Sequence, residues 1–294
     1  MTPNLYSHQS ANVAKTWFLM GLFLVVIIAV GYFFSVYYEN PTILYVAVIF
    51  SFFMNFLSYW YSDKISLALT KAKPATREQF FDLYTVTENL SIAAGLPMPK
   101  LYVIGDSAPN AFATGRNKEH AAVVVTTGLL ERLDRSELEG VIAHELSHIG
   151  NKDTLVMTVV VVLVGFIAIL SDIFLRSHMS GGSSGRDDNK GNVLMIVGIA
   201  LAILSPIVAT LIKLAISRRR EFLADASGAL LTRYPEGLAS ALQKISTYDR
   251  PMRAASNATA HLFISNPFGR GAKSISKLFA THPPVEERIK ALIG

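Results

Sequence analysis

Four stretches of this 294-residue chain carry no charged side chain over a length able to cross a bilayer: 16–38, 41–62, 154–171 and 193–212. A hydrocarbon core needs about 20 apolar residues in a helix, so these runs fix the fold class before any other feature is considered. The composition agrees, because 51% hydrophobic and 17% charged residues exceed the apolar content of an ordinary soluble core. Buried helices of a soluble domain are the weaker reading. The first run is too long for the apolar part of a cleaved signal, and no small-residue cleavage site precedes the second, so it reads as a retained span. Glu39, Asn40 and Pro41 then make the corner of a helical hairpin, and Trp17, Tyr37, Tyr38, Tyr59, Trp60 and Tyr61 suit its membrane interfaces.

Orientation follows from the basic residues. If all four runs cross, Lys15, Lys64, Lys71, Lys73, Arg77, Lys213, Arg218, Arg219 and Arg220 share one side, against Arg176, Arg186 and Lys190 on the other. The positive-inside rule places the richer side in the cytoplasm. The chain thus divides into a transmembrane hairpin (1–62), a cytoplasmic part (63–153), a second transmembrane pair (154–216) around a Gly/Ser-rich loop at 177–192, and a second cytoplasmic part (217–294). The net charge of +5 is accounted for by this bias, and no nucleic-acid motif accompanies it. With no cysteine, disulfides and Cys-ligated metals are excluded.

Immediately before the third run stands "HELSH". His144 and His148, four apart, share one face of a helix and can chelate one ion, while Glu145 sits beside that face. Two neutral histidines then hold a single zinc and the glutamate accepts the proton of the attacking water. Asp134 and Glu137 form a capping-box pattern, and Leu138, Val141, Ile142 and Leu146 recur at helical spacing, so the helical context is present. A catalytic zinc needs a third protein ligand. Asn151 and Thr154 occupy the places of the extended third-histidine pattern. Two crossings later "SRRREFLADASG" returns to the same side, where Glu221 can close the site and Asp225, one turn on, can orient a ligand histidine.

"HELSH" followed after two apolar runs by "EFLAD", with "PNAFATG" at 109–115 and a terminal "THPPVEERI", resembles the HtpX-type membrane zinc metalloproteases, relatives of the CAAX prenyl endopeptidases. The resemblance implies an α-helical integral membrane protein of the cell membrane with a zincin-type catalytic part, zinc as cofactor and Glu145 as general base. Its implied activity is endoproteolysis of misfolded membrane proteins in stress-linked quality control. It also places Asn110 and Ala111 beside the substrate cleft, although "SAPN" reads equally as an Asx turn. His282 is either a turn residue before two prolines or a stabiliser of the oxyanion.

Short strands are expected at 101–104 and 121–126, with "AFATG" a third. Arg218, Arg219 and Arg220 anchor at anionic head groups, or one of them orients Glu221 or Asp225. The segment 250–276 shows no recognisable pattern. Two other functions fit part of the pattern: a zinc hydrolase acting on a non-peptide ester or amide, and a membrane scaffold with a structural zinc, which would need a fourth protein ligand.

Overall fold

The computed structural model describes residues 5–179, 218–253, 255–256, 258–269 and 283–294. The fourth apolar run, residues 180–192 of the Gly/Ser-rich loop and His282 lie outside these. Helix α1 (Leu5–Tyr37) and α2 (Thr42–Trp60) form the hairpin, turning where the Asn40 side chain accepts from the Thr42 amide. Both are long and apolar enough to cross a membrane. Their exposed side chains include Trp17, Phe18, Tyr32, Ile49, Phe52 and Phe56, which water would penalise and lipid accepts. The helices approach closely: a Cβ on Gly31 would stand 2.2 Å from that of Ala47. Helix α1 also begins eleven residues before the uncharged run, and its polar start leaves the hairpin to reach the catalytic part.

After α3 (Ser62–Leu69) comes a four-stranded sheet in the order β1-β2-β4-β3, from β1 (Lys73–Pro74), β2 (Lys100–Ile104), β3 (Ala111–Thr114) and β4 (Ala122–Thr126). Three strands fall where the sequence places them; β1 was not expected. The β2–β4 pair is parallel and β3 runs antiparallel to β4, which leaves β3 at an edge. The strands are short, and β4 is Val-rich and, like β3, wholly buried, as suits positions covered by helices. Between β1 and β2 lies α4 (Phe81–Ala94), ended by Gly95 at φ +64°, a left-handed C-cap that a β-carbon would strain.

Helix α5 (Thr127–Arg132) leads to α6 (Arg135–Gly150), whose start is closed by the expected capping box between Asp134 and Glu137. Glu137 is buried and further held by Ser240 Oγ and Lys244 Nζ, each at 2.6 Å. Helix α6 stops at Asn151, and α7 (Asp153–Met179) leaves at 83° to it, carrying the third apolar run. The corner is made by Lys152 at φ +58°. The first part of α7 is clasped by protein on two sides, by α1 and α2 through Val159 and Leu163, and by Phe112 and Phe263 through Val161.

Helix α8 (Arg218–Thr232) crosses α6 where Gly228 leaves room: a Cβ there would lie 3.0 Å from the His144 amide nitrogen. Glu221, Asp225 and Gly228 share one helical face, so this close approach aims both carboxylates at α6. Helix α9 (Pro235–Ser246) packs on the other flank of α6, and α10 (Val285–Ile293) lays Val285, Ile289 and Leu292 against the same core.

Candidate metal centre

His144, His148 and Glu221 converge so that one ligand atom from each lies within 4.8 Å of the others, all buried. The separations are 3.1 Å between the two Nε2 atoms, 3.9 Å from His144 Nε2 to Glu221 Oε2, and 3.7 Å from His148 Nε2 to Glu221 Oε1. Zinc bonded at about 2.0–2.1 Å in a tetrahedron separates its ligand atoms by roughly 3.3 Å, so the triangle fits with small adjustments. Among the described residues the cluster offers three ligands, which leaves a tetrahedral ion one position for water.

Each histidine is oriented from behind. His144 Nδ1 lies 2.9 Å from Asp225 Oδ1, and His148 Nδ1 lies 3.0 Å from Asp153 Oδ2. With Nδ1 donating to a carboxylate, the lone pair of Nε2 faces the cavity. Asp225 is in turn gripped by Arg288, which donates from Nε and Nη2 at 2.8 and 2.6 Å, a bidentate pair with no exposed surface on the arginine. Burial alone would raise the Asp225 carboxyl, but its bonds from Arg288 and His144 outweigh that and hold it below the ordinary carboxylate range.

The Asp153 branch reaches into the hairpin. Asn12 of α1 donates to Asp153 Oδ1 at 2.7 Å and to the Asn151 carbonyl at 3.0 Å, while Gln9 donates to the Gly150 carbonyl at 2.7 Å. The membrane helix therefore caps the otherwise open carbonyl end of the ligand helix. Arg220 is also buried here, 3.7 Å from Asp153 and 3.5 Å from Asn12 Oδ1, whereas Arg218 and Arg219 are exposed. Of the three arginines it is Arg220 that turns inward, to Asp153, and it also interacts electrostatically with Glu221.

Glu145 is buried on α6, and burial pushes its carboxyl up to about 7, with the Glu221 charge adding and the Ala113 amide bond opposing. In the metal-free protein the histidines diverge. Burial takes His144 down to about 4, while at His148 the desolvation is outweighed by the Asp153 bond and neighbouring carboxylates, which lift it to about 9. A metal entering this site near neutral pH must displace the His148 proton, so zinc affinity is expected to rise about tenfold per pH unit until close to pH 9. Chelator competition across pH 6.5–8.5 measures this. In the same titration Asp153→Asn is expected to weaken zinc binding about 10- to 100-fold; an affinity independent of pH and of Asp153 would mean that His148 is not a ligand.

Ala111 opens β3, the edge strand whose Ala113 amide meets Glu145, and Asn110 stands just before it. Asn110 is buried, with its side chain spent on Ser265 and on the Ala111 amide. His120 is exposed and His261 is packed against the Met157 carbonyl at 3.1 Å; neither joins the site.

The family model of peptidase family M48 matches residues 77–294, nearly three quarters of the chain and both helices that carry the metal triangle. The chain belongs to peptidase family M48. Among curated relatives, a protease HtpX homolog of Caldanaerobacter subterraneus subsp. tengcongensis is 52% identical over 293 residues, covering 98% of this chain and 97% of the relative. One from Thermoanaerobacter pseudethanolicus is 50% identical over the same shares. A crystal structure of S. mikatae Ste24p is similar in fold, with a TM-score of 0.52 at 21% identity, over 99% of this chain and 67% of that one. The protein is thus an HtpX-type membrane metalloprotease.

Three functional side chains of this M48 site were missed in the sequence. Arg288 was visible as an anomaly, because Val285, Ile289 and Leu292 make the apolar face of α10 and Arg288 falls on it. Asp153 is the first acidic residue after the histidine pair, and that position was the signal that could have found it. Asn12 carried no signal.

Proposed function

We propose that the protease is a single-zinc endopeptidase that cuts unfolded or damaged membrane polypeptides from the cytoplasmic side. The observation that supports it most is the triangle of His144, His148 and Glu221 with Glu145 between α6 and the edge strand β3. Zinc held there supplies a Lewis acid and lowers the pKa of water. Glu145, whose carboxyl sits near neutrality, takes the proton of the attacking water and returns it to the leaving amine. Asp225 and Asp153 keep the ligand nitrogens turned inward. Asn110 and Ala111 present backbone and amide groups to an extended substrate, a recognition that is indifferent to sequence. His282 is assigned to the oxyanion on the family resemblance alone, and a loss of kcat in His282→Gln with zinc content held is its check.

Removing zinc with a chelator should end casein degradation by the detergent-solubilised protein, and restoring it should bring degradation back. A preparation that binds zinc and hydrolyses esters but never cleaves a polypeptide would favour the non-peptide hydrolase instead.

The orientation has its own test, since no native cysteine interferes. Ala93 lies exposed on α4 of the catalytic part, whereas nearby Ser91 is buried and unsuitable. On intact cells Ser183→Cys is expected to react with a membrane-impermeant thiol reagent and Ala93→Cys only after permeabilisation. Equal reactivity of both positions contradicts a crossing by the third apolar run, which alone separates them, and with it the second pair of spans.

A further inference from the structure

The four residues of the site are sealed: His144, Glu145, His148 and Glu221 are each at most 4% exposed. A polypeptide cannot reach them unless something moves, and the segment lying along β3 is placed to be that part. In an antiparallel edge strand, alternate residues turn their backbone groups outward. On β3 the outward set includes Ala111 and Ala113: the Ala113 amide bonds Glu145, and the Ala111 carbonyl accepts from the Ile264 amide at 2.9 Å. One residue on, the Ser265 amide donates to Asn110 Oδ1 at 3.2 Å and the Ser265 carbonyl accepts from Asn110 Nδ2 at 3.0 Å. The Ile264 carbonyl accepts from Arg288 Nη1 at 3.1 Å, the same arginine that holds Asp225.

From Ile264 to Ser265 the partners step back from Ala111 to Asn110, so the segment runs antiparallel to β3 and leads away from Glu145. Its backbone groups are met as those of a peptide downstream of a scissile bond would be, and the Ile264 side chain is buried in the main core, the same cluster that holds Ala111, Ala113 and Ile142. A single backbone–backbone bond joins it to β3, and the 3-10 turn at Ala260–Leu262 ends the pairing. Asn110 and Arg288 would serve any extended backbone equally, whereas the segment's own anchors are the buried Ile264 side chain and Phe263, edge-to-face on Phe112 with ring centroids 5.1 Å apart, contacts that displacement must break.

We propose that Phe263, Ile264 and Ser265 form a built-in pseudosubstrate strap over the downstream half of the peptide groove, displaced when an extended polypeptide with a branched aliphatic residue after the cut takes the same bonds. This rests on the proteolytic reading above and deepens it, because it assigns Arg288 to the carbonyl of the first downstream residue and gives that residue its chemistry.

Two measurements on the full zinc-loaded chain test it. Ile264→Ala weakens the strap without touching the groove, so KM for unfolded casein should fall at least roughly tenfold with kcat held, and casein cuts mapped by mass spectrometry should precede Ile, Val or Leu. In Glu145→Gln, which binds without cutting, saturating casein should speed hydrogen exchange in the fragment holding residues 260–266. An unchanged or raised KM, or a fragment that stays protected while casein is bound, overturns the strap and makes it a permanent part of the sheet. Cuts without aliphatic preference overturn the assignment of the pocket. Wild-type protein that cleaves no polypeptide at all defeats the proteolytic reading itself, an outcome distinct from the others.

Discussion

Glu145→Gln retains its zinc and loses proteolysis by about 10²- to 10⁴-fold, the usual contribution of a positioned proton acceptor. The expectation comes from geometry. Glu145 stands between the two ligand histidines without being a member of the metal triangle, and it faces the Ala113 amide at the substrate edge. The amide of Gln can still accept from Ala113, so the packing survives while the proton acceptor is gone. Burial has brought the native carboxyl to about 7, where it can both accept and return a proton near neutral pH. In metal-free protein, Glu145 is charged above that value and neutral below it. Turnover at the wild-type rate in the variant would remove Glu145 from the chemistry, and loss of zinc would recast it as a ligand.

Arg288→Met should be the most damaging change outside the ligand set. Arg288 is fully enclosed and answers Asp225 with two bonds, so its loss strands a buried carboxylate, at a cost of about 3–5 kcal/mol. The effect passes to the metal through His144, because an Asp225 that neutralises itself no longer fixes the imidazole. Arg288→Lys should rescue little, since one ammonium cannot reproduce the paired geometry. Thermal unfolding and zinc competition together check this. The sign with pH is definite: Asp225 is held below its ordinary pKa, so the pair's stabilisation is present above the unfolded carboxylate range and fades as pH falls through the lowered value. A variant as stable and as zinc-avid as wild type would show that the arginine only fills space.

Much of this site could be read from the chain because it is locally encoded. The capping box, the apolar spacing of α6 and the two histidines on one face all lie within seventeen residues of one helix and its cap, where periodicity decides the geometry. The three expected strands were legible for the same reason. Glu221 required topology as well, since only an even number of crossings returns it to His148. What stayed hidden was long-range. Asn12 meets Asp153 across 141 residues, and Arg288 meets Asp225 across 63; neither pairing leaves a spacing to detect. The strap was opaque because its function is carried by backbone groups, which every sequence possesses. The Asn110 reading, which set the residue beside a substrate cleft, did not anticipate that Ser265 of the same chain would meet its amide.

One zinc per chain, held by His144, His148 and Glu221, is the proposal on which the proposed chemistry depends, and elemental analysis at limiting zinc is its sharpest check. Wild type and Glu145→Gln should each carry one zinc, whereas Glu221→Ala, with only two ligands left, should fall well below stoichiometric. Full occupancy in Glu221→Ala would contradict the account, because the third ligand would then lie elsewhere in the chain.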